Sequence, residues 1–278
     1  MITFSHSFVD VKVLNKTPYQ GDAVWVIINT PKKIKAGTIK FGKNSFKIFK
    51  KKNQVDTLSY VSCIGISRYS VPGQKSLTIT LNFSDGSTYD APIKLNVLSS
   101  NFKKEYITLK PKKNKLAQNR TQLRNENKII GRGFKTKSLT RLFDGSFALP
   151  LEGRVSSEFG VQRVYNNRPS WSHSGIDIAA KKGTPISATQ HGTILLADSF
   201  DVHGKTVMID HGWGLVSIYN HLSKINVKST DKVHKGAIIG YVGSTGISTG
   251  DHLHFGVSVQ GVRVDPKRWI QHSSQIQI

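Results

Sequence analysis

From residue 147 onward the chain alternates between short runs of β-branched residues and glycines. The runs 193–197, 206–210, 215–219, 237–242 and 255–259 each read as a strand, and glycine stands between nearly every pair. Side chains branched at Cβ are stiff and suit a pleated surface, while glycine enters the positive-φ region that tight turns need. This pattern predicts an antiparallel β domain closed by tight turns, not a series of βαβ units. Gly243-Ser-Thr-Gly246 and Ser248-Thr-Gly250 are not phosphate loops, because they lack the spacing and the lysine of one, and no helix follows.

The first hundred residues also read as strands: 8–14, 23–28, two short ones within 37–49 broken at Gly42-Lys-Asn44, then 59–66, 75–83 and 91–97. Gln20-Gly-Asp22, Pro72-Gly73 and Asp85-Gly86 mark turns. Six or seven short strands in this length predict an immunoglobulin-like β-sandwich. Residues 101–146 differ, with 13 basic and 3 acidic side chains and the cluster Lys112-Lys-Asn-Lys115. A helix is expected over 116–130 and a further turn over 138–143. The expected order is therefore a mainly β chain: an immunoglobulin-like domain over 1–100, a small basic linking subdomain over 101–146, and the glycine-punctuated β domain over 147–278.

Charge separates these parts. Lys and Arg number 40 against 17 Asp and Glu, and residues 1–150 hold 27 of the former and 8 of the latter. Such a field draws polyanions of any kind, whether nucleic acid, acidic lipid or an anionic wall polymer. No finger spacing, recognition helix or aromatic–basic pattern accompanies it, so a specific nucleic-acid role is not expected. No run of about 18 apolar residues is present to cross a bilayer as a helix. Cys63 is the only cysteine, so no intrachain disulfide forms; its apolar surroundings predict a buried strand position. Met1 is followed by no signal-peptide pattern, which read literally means a cytoplasmic chain and otherwise a mature form given an initiator Met.

Nine of the ten histidines lie beyond residue 170. In His173-Ser-Gly-Ile-Asp177 the β-like residues after Gly175 argue against a helix, so a loop running into a strand brings imidazole and carboxylate together. In His252-Leu-His254 the two imidazoles fall on one side of a strand and Leu253 faces the core. His221, in Tyr219-Asn-His-Leu222, ends a candidate strand. Zinc takes imidazole nitrogen and carboxylate oxygen, and a catalytic site uses three protein ligands with one open position. Five candidate groups thus leave two histidines for acid–base work. Of the others, His211 is expected in a structural role, and His6, His191, His203 and His234 on the surface; His272 has no expected role. Ser156, Ser157 and Ser172 read as turn or groove contacts.

With these motifs in view, residues 147–269 resemble the LytM or lysostaphin-type metallopeptidases, the M23 peptidase family. The likeness runs from Pro150-Leu-Glu-Gly-Arg-Val-Ser-Ser-Glu-Phe-Gly160 through His173-Ser-Gly-Ile-Asp177, Gly183-Thr-Pro-Ile-Ser-Ala188, Ile209-Asp-His-Gly212 and Tyr219-Asn-His-Leu222. It ends with Gly243-Ser-Thr-Gly246, His252-Leu-His-Phe-Gly256 and Val264-Asp-Pro266. The resemblance implies one zinc ion per chain held by His173, Asp177 and His254, with His221 and His252 as catalytic histidines, one a base and the other stabilising negative charge. Asp251 stands where many relatives have proline.

The front of the chain resembles the longer cell-shape endopeptidases of Gram-negative bacteria of the Helicobacter and Campylobacter group. That implies a periplasmic peptidoglycan hydrolase, its signal peptide removed, which cuts the D-alanyl–meso-diaminopimelate cross-link and trims terminal D-alanine. Its partners would be stem peptides, their cross-links and cell-shape scaffold proteins. Tyr219, Asn220, Arg163 and Arg168 are the substrate-binding candidates, the arginines because stem peptides carry carboxylates. The alternatives are a glycyl-glycine endopeptidase of lysostaphin type, or an activator whose groove is blocked by residues 101–146 with Asn125 or Glu126 as a fourth ligand.

Overall fold

Alternation of buried and outward side chains builds the front of the molecule. The computed structural model describes residues 8–51, 58–136 and 138–273, and the chain divides into two compact units, residues 1–100 and 101–277. The first contains β1 (Asp10–Val13), β2 (Ala23–Thr30), β3 (Ile34–Phe41), β4 (Asn44–Lys47), β5 (Phe49–Lys50), β6 (Leu58–Gly65), β7 (Gly73–Phe83) and β8 (Thr88–Val97). They form two four-stranded antiparallel sheets, ordered β1-β2-β6-β5 and β4-β3-β7-β8. Leu77, Ile79, Leu81 and Phe83, two apart on β7, are all buried, as are Val24, Val26 and Ile28 on β2. Cys63 is a buried free thiol in β6. His6 lies outside the described residues.

In the second unit the basic segment precedes the β domain and packs against it. It supplies β9 (Lys104–Ile107), α1 (Pro111–Gln118) and α2 (Arg120–Phe134). Instead of the single helix expected over 116–130 there are two. Proline opens α1 at a position where its missing N–H costs nothing. Asn119 separates the helices and caps α2, its side chain accepting from the Gln122 N–H at 3.0 Å.

The remaining elements are β10 (Arg154–Ser157), β11 (Gln162–Tyr165), β12 (Arg168–Ser172), β13 (Ile176–Ala179), β14 (Pro185–Ser187), β15 (Gly192–Phe200), β16 (Gly204–Asp210) and β17 (Leu215–Leu222). After them come β18 (Lys224–Ile225), β19 (Lys232–Val233), β20 (Ile238–Tyr241), β21 (His252–Val259), β22 (Val262–Val264) and α3 (Pro266–Ser273). The main sheet runs β10-β13-β21-β17-β16-β15-β19, with β22 on β21. Smaller sheets run β12-β11-β9 and β14-β20-β18. The chain is thus mainly β with few helices.

Both faces of the main sheet are covered at its centre, where every residue of β17 is buried. On one face Ile130 of α2 packs with Met208, Val216 and Ile218, flanked by Phe134, Leu195, Leu196 and Phe200. On the other, the Tyr219 and Phe255 rings lie 5.4 Å apart. Gly133 on α2 leaves room for Met208, whose Cε would lie 2.7 Å from an added Cβ.

His211, at the end of β16, is 1% exposed. Its Nδ1 donates to the His191 carbonyl at 2.7 Å, and its Nε2 meets Ser217 Oγ at 2.8 Å. Burial lowers its pKa from 6.5 to about 4, outweighing the carbonyl bond. Between those values the unfolded chain holds a proton that the folded chain excludes. Stability present above pH 6.5 should therefore drain away as the pH falls toward 4, by roughly 3 kcal/mol for this group. Thermal melts between pH 7 and pH 4.5 should show that loss in the native chain and a shallower one in H211Q; equal slopes would rule the histidine out as its source.

Candidate metal centre

The register of two strands builds the site. β13 and β21 pair antiparallel with Asp177 opposite His254 and Ala179 opposite His252. Ile176 and Ile178 turn into the core, as do Leu253 and Phe255, so Asp177, His252 and His254 face the other way. The loop before β13 delivers His173. Gly175 is required there because an added Cβ would lie 2.2 Å from the Phe255 carbonyl oxygen and 2.9 Å from His254 Cε1.

Three ligand atoms converge. His173 Nε2, Asp177 Oδ1 and His254 Nδ1 form a triangle with all three sides 2.9 Å. Ligands about 2.0–2.1 Å from one zinc ion at tetrahedral angles stand about 3.3 Å apart, so the triangle is close to the size such an ion needs. The tautomer fits as well. His173 Nδ1 donates to the Glu158 carbonyl at 2.8 Å, which leaves the Nε2 lone pair for a cation. All three residues are buried. The two histidines and the aspartate are thus placed to coordinate a single zinc ion.

The second oxygen of Asp177 is also held. Arg163 Nη2 pairs with Asp177 Oδ2 and donates to Ser157 Oγ at 3.1 Å. Ser157 Oγ donates to Glu105 of β9 at 2.8 Å, and Arg163 Nε lies 3.4 Å from the same carboxylate. Burial pushes the Asp177 carboxyl up, but His173 and His254 outweigh it and hold the group well below the usual range. For His254 burial dominates, over the opposing pull of Asp177, and lowers it to about 3.

His221 and His252 stand beside this triangle, their ring centroids 4.9 Å apart. Strand alternation would send His221 to the face of Ser217 and Tyr219, away from Asn220. Its φ of +67° breaks the alternation, and both Asn220 and His221 line one cavity of about 350 Å³ with His173 and His254. A non-glycine residue at such a φ is uncommon and is held here by its surroundings. The His221 N–H meets the His203 carbonyl at 3.2 Å, and Nδ1 donates to the Thr245 carbonyl at 2.8 Å. His252 Nδ1 lies 2.9 Å from the Gly250 carbonyl, and its Nε2 is 3.8 Å from Asp177 Oδ1. Burial, then the neighbouring His252 and His254, push the His221 pKa well down.

The other candidates separate. Tyr219 is fully buried, its hydroxyl bonded to the Thr189 N–H at 3.0 Å and to Ser217 Oγ at 3.0 Å, so it points into the core and not toward a substrate. Arg163 is turned to Asp177 and lines the cavity from that position. Arg168 is exposed on β12, facing α1 and α2 across a separate cavity.

Sequence reasoning missed two residues and misplaced two others. Glu105 and Arg263 have no spacing that ties them to the histidines. Glu126, expected as a possible fourth ligand, is 2% exposed and committed elsewhere. It accepts from the N–H groups of Val202 and His203 and from His203 Nδ1, the last at 2.8 Å. Burial opposes its ionisation, but the bonds from His203, Val202 and Gln122 prevail and hold its pKa at about 2. His203, expected on the surface, is thereby fixed against the loop that carries the His221 contact. Asn125 is exposed and does not line the cavity. Asn127, Ile130, Gly131 and Phe134 of α2 do line it, so the helix forms one wall.

Competition against a chromogenic chelator should find one zinc ion per chain. D177N and H254A should lose it, and R163M should weaken it by about ten- to a hundredfold through the untethered carboxylate. H221A should leave the affinity unchanged; a loss there equal to that in H254A would make His221 a ligand.

Comparison with known proteins follows the same residues. The model of peptidase family M23 matches residues 171–266. The DD-carboxypeptidase/endopeptidase Mpg of Neisseria meningitidis is 41% identical over 114 residues, 41% of this chain and 26% of that protein. The peptidoglycan DD-endopeptidase ShyA of Vibrio cholerae is 36% identical over 125 residues, 45% of this chain and 29% of that protein. The chain thus spans less than a third of the length of either relative. A Pseudomonas aeruginosa crystal structure described as an M23 peptidase shares the fold over 91% of this chain and 94% of its own, with TM-score 0.66 and 24% identity. The match and the triad agree in place: residues 171–266 match peptidase family M23, and His173, Asp177 and His254, placed to coordinate one zinc ion, lie within them.

Proposed function

We propose that the chain is a zinc-dependent peptidoglycan hydrolase, a D,D-endopeptidase on the D-alanyl–meso-diaminopimelate cross-link that also removes D-alanine from pentapeptide stems. The observation that carries this reading is the placement of His221 and His252 beside the His173–Asp177–His254 triangle. The similarity to proteins named for DD-endopeptidase and DD-carboxypeptidase activity supports the substrate. On this reading the enzyme works outside the cytoplasm. Its partners are stem peptides and their cross-links, together with cell-shape scaffold proteins. The basic front unit, read as an immunoglobulin-like sandwich, suits an anionic envelope. Among the described residues no helix is long and apolar enough to cross a membrane.

Zinc, when bound, supplies a Lewis acid that polarises the scissile carbonyl and acidifies water. The side chains do the rest. In both catalytic histidines Nδ1 faces a backbone carbonyl, so Nε2 is an acceptor in the neutral ring. Either ring that takes a proton from water becomes a donor able to pass it to the leaving amine. His221 is enclosed and held neutral, and so is suited to begin as acceptor. His252, partly exposed and near Asp177, is placed to stabilise negative charge once protonated. His173, Asp177 and His254 keep their roles as ligands throughout, with Arg163 orienting the carboxylate.

A second reading has one observation in its favour: α2 forms a wall of the cavity, as an occluding segment would. Digestion of muropeptides by the zinc-loaded chain, read by mass spectrometry, separates the possibilities. Diaminopimelate-linked dimers should become monomers and pentapeptides should lose one D-alanine, with H221A and H252A slower by at least about a hundredfold. Cleavage of glycine bridges alone would indicate a lysostaphin-type enzyme. No product despite one bound zinc would indicate an occluded or activating protein.

A further inference from the structure

Arg263, in the wall of the metal cavity, is a cation without a counter-ion among the described residues. It projects from β22, where it pairs with Ser258 of β21. Its guanidinium passes over Gly256, where an added Cβ would lie 2.4 Å from Nη2. Nε and Nη2 donate to the Ser174 carbonyl at 3.2 and 3.1 Å, next to the ligand His173. Phe134 of α2 covers the flat face, 4.1 Å from Cζ to the ring centroid. Stacking on a face leaves the in-plane donors free, and Nη1 is buried with no hydrogen-bond partner among the described residues. Among the described residues no carboxylate lines this cavity, although Lys135 and Arg163 do, and Arg163 is already neutralised by Asp177. The adjoining cavity of about 320 Å³ is the reverse, lined by Glu105, Asp177 and Asp251. Asn220 Oδ1, on the wall with Arg263, is also unpartnered.

An unpaired buried charge is costly, and a neutral residue could hold the Ser174 carbonyl as well. The arrangement is economical only if an anion joins Arg263 during function. We propose that Arg263 is the specificity residue for a substrate carboxylate, the one on the carbon next to the leaving nitrogen. This rests on the reading of the chain as a D,D-hydrolase. A D-alanyl–D-alanine end and a D-alanyl cross-link to the D-centre of diaminopimelate share that carboxylate. An interior glycine–glycine bond has its carboxyl group tied up in the next amide. Arg263 therefore selects the first two bonds over the third, with the leaving side of the substrate toward α2.

The test is calorimetry on the zinc-loaded full chain carrying H221A to prevent turnover. The probes are a stem pentapeptide with a C-terminal carboxylate and the same peptide with a C-terminal amide. The acid should bind about ten- to a hundredfold more tightly than the amide, as one charge-assisted contact implies. In H221A/R263Q that preference should fall to about onefold with the amide bound as before, and R263K should keep only part of it because it loses the planar fork. Absence of the preference when Arg263 is intact, its survival in R263Q, or an equal loss for both peptides would overturn the assignment. The wild-type chain is assayed for cleavage in parallel. Failure to cleave, with an Arg263-dependent preference still present, would refute the hydrolase reading and leave the carboxylate site standing.

Discussion

The site depends on the pairing of β13 with β21, which places Asp177 opposite His254. Two imidazole nitrogens and a carboxylate oxygen, each an acceptor once the tautomers are set, then stand 2.9 Å from one another. Such atoms are poor neighbours unless a cation lies among them. A slip of β13 by one residue in this register would turn Asp177 into the core and bring Ile178 to the groove, while His252 and His254 kept their face. The hydrophobic faces of the two strands forbid that slip, so packing and ligand geometry are enforced by the same alternation.

Around that triangle the second unit adds constraints from remote parts of the chain. Arg163 takes the spare oxygen of Asp177 and is itself steadied by Glu105 of β9. Glu126 of α2 ties down residues 202 and 203, whose backbone meets the His221 N–H. The basic segment is thus bound to β11 of a smaller sheet by strand pairing, to Met208 of the main sheet by packing and to His203 by a buried carboxylate. Its contribution is to complete the walls of the groove and to hold a strained histidine in place.

Much of this was legible in the residues themselves. The two-residue spacing of His252 and His254 put both rings on one strand face, and Gly175 with the β-like run after it marked a loop entering a strand between His173 and Asp177. The strands of the front unit followed from turn residues and alternation, including the break at Gly42. What could not be read has physical reasons. A positive φ at a histidine leaves no mark in sequence, so the direction of His221 was open. The run 116–130 reads as one helix because the break at Asn119 lies between two stretches that both favour helix. Glu105, Glu126 and Arg263 reach the site only through tertiary contacts, and a charged residue in a basic stretch looks like a solvated one.

Two histidines and one aspartate are placed to hold the metal while two further histidines remain free. X-ray absorption at the zinc edge, on the chain loaded with one equivalent, tests it directly. The expected spectrum shows a nitrogen and oxygen shell at about 2.0–2.1 Å with outer-shell scattering from two imidazoles, unchanged in H221A and H252A. A third imidazole that disappears in either variant would contradict the division between ligands and free histidines.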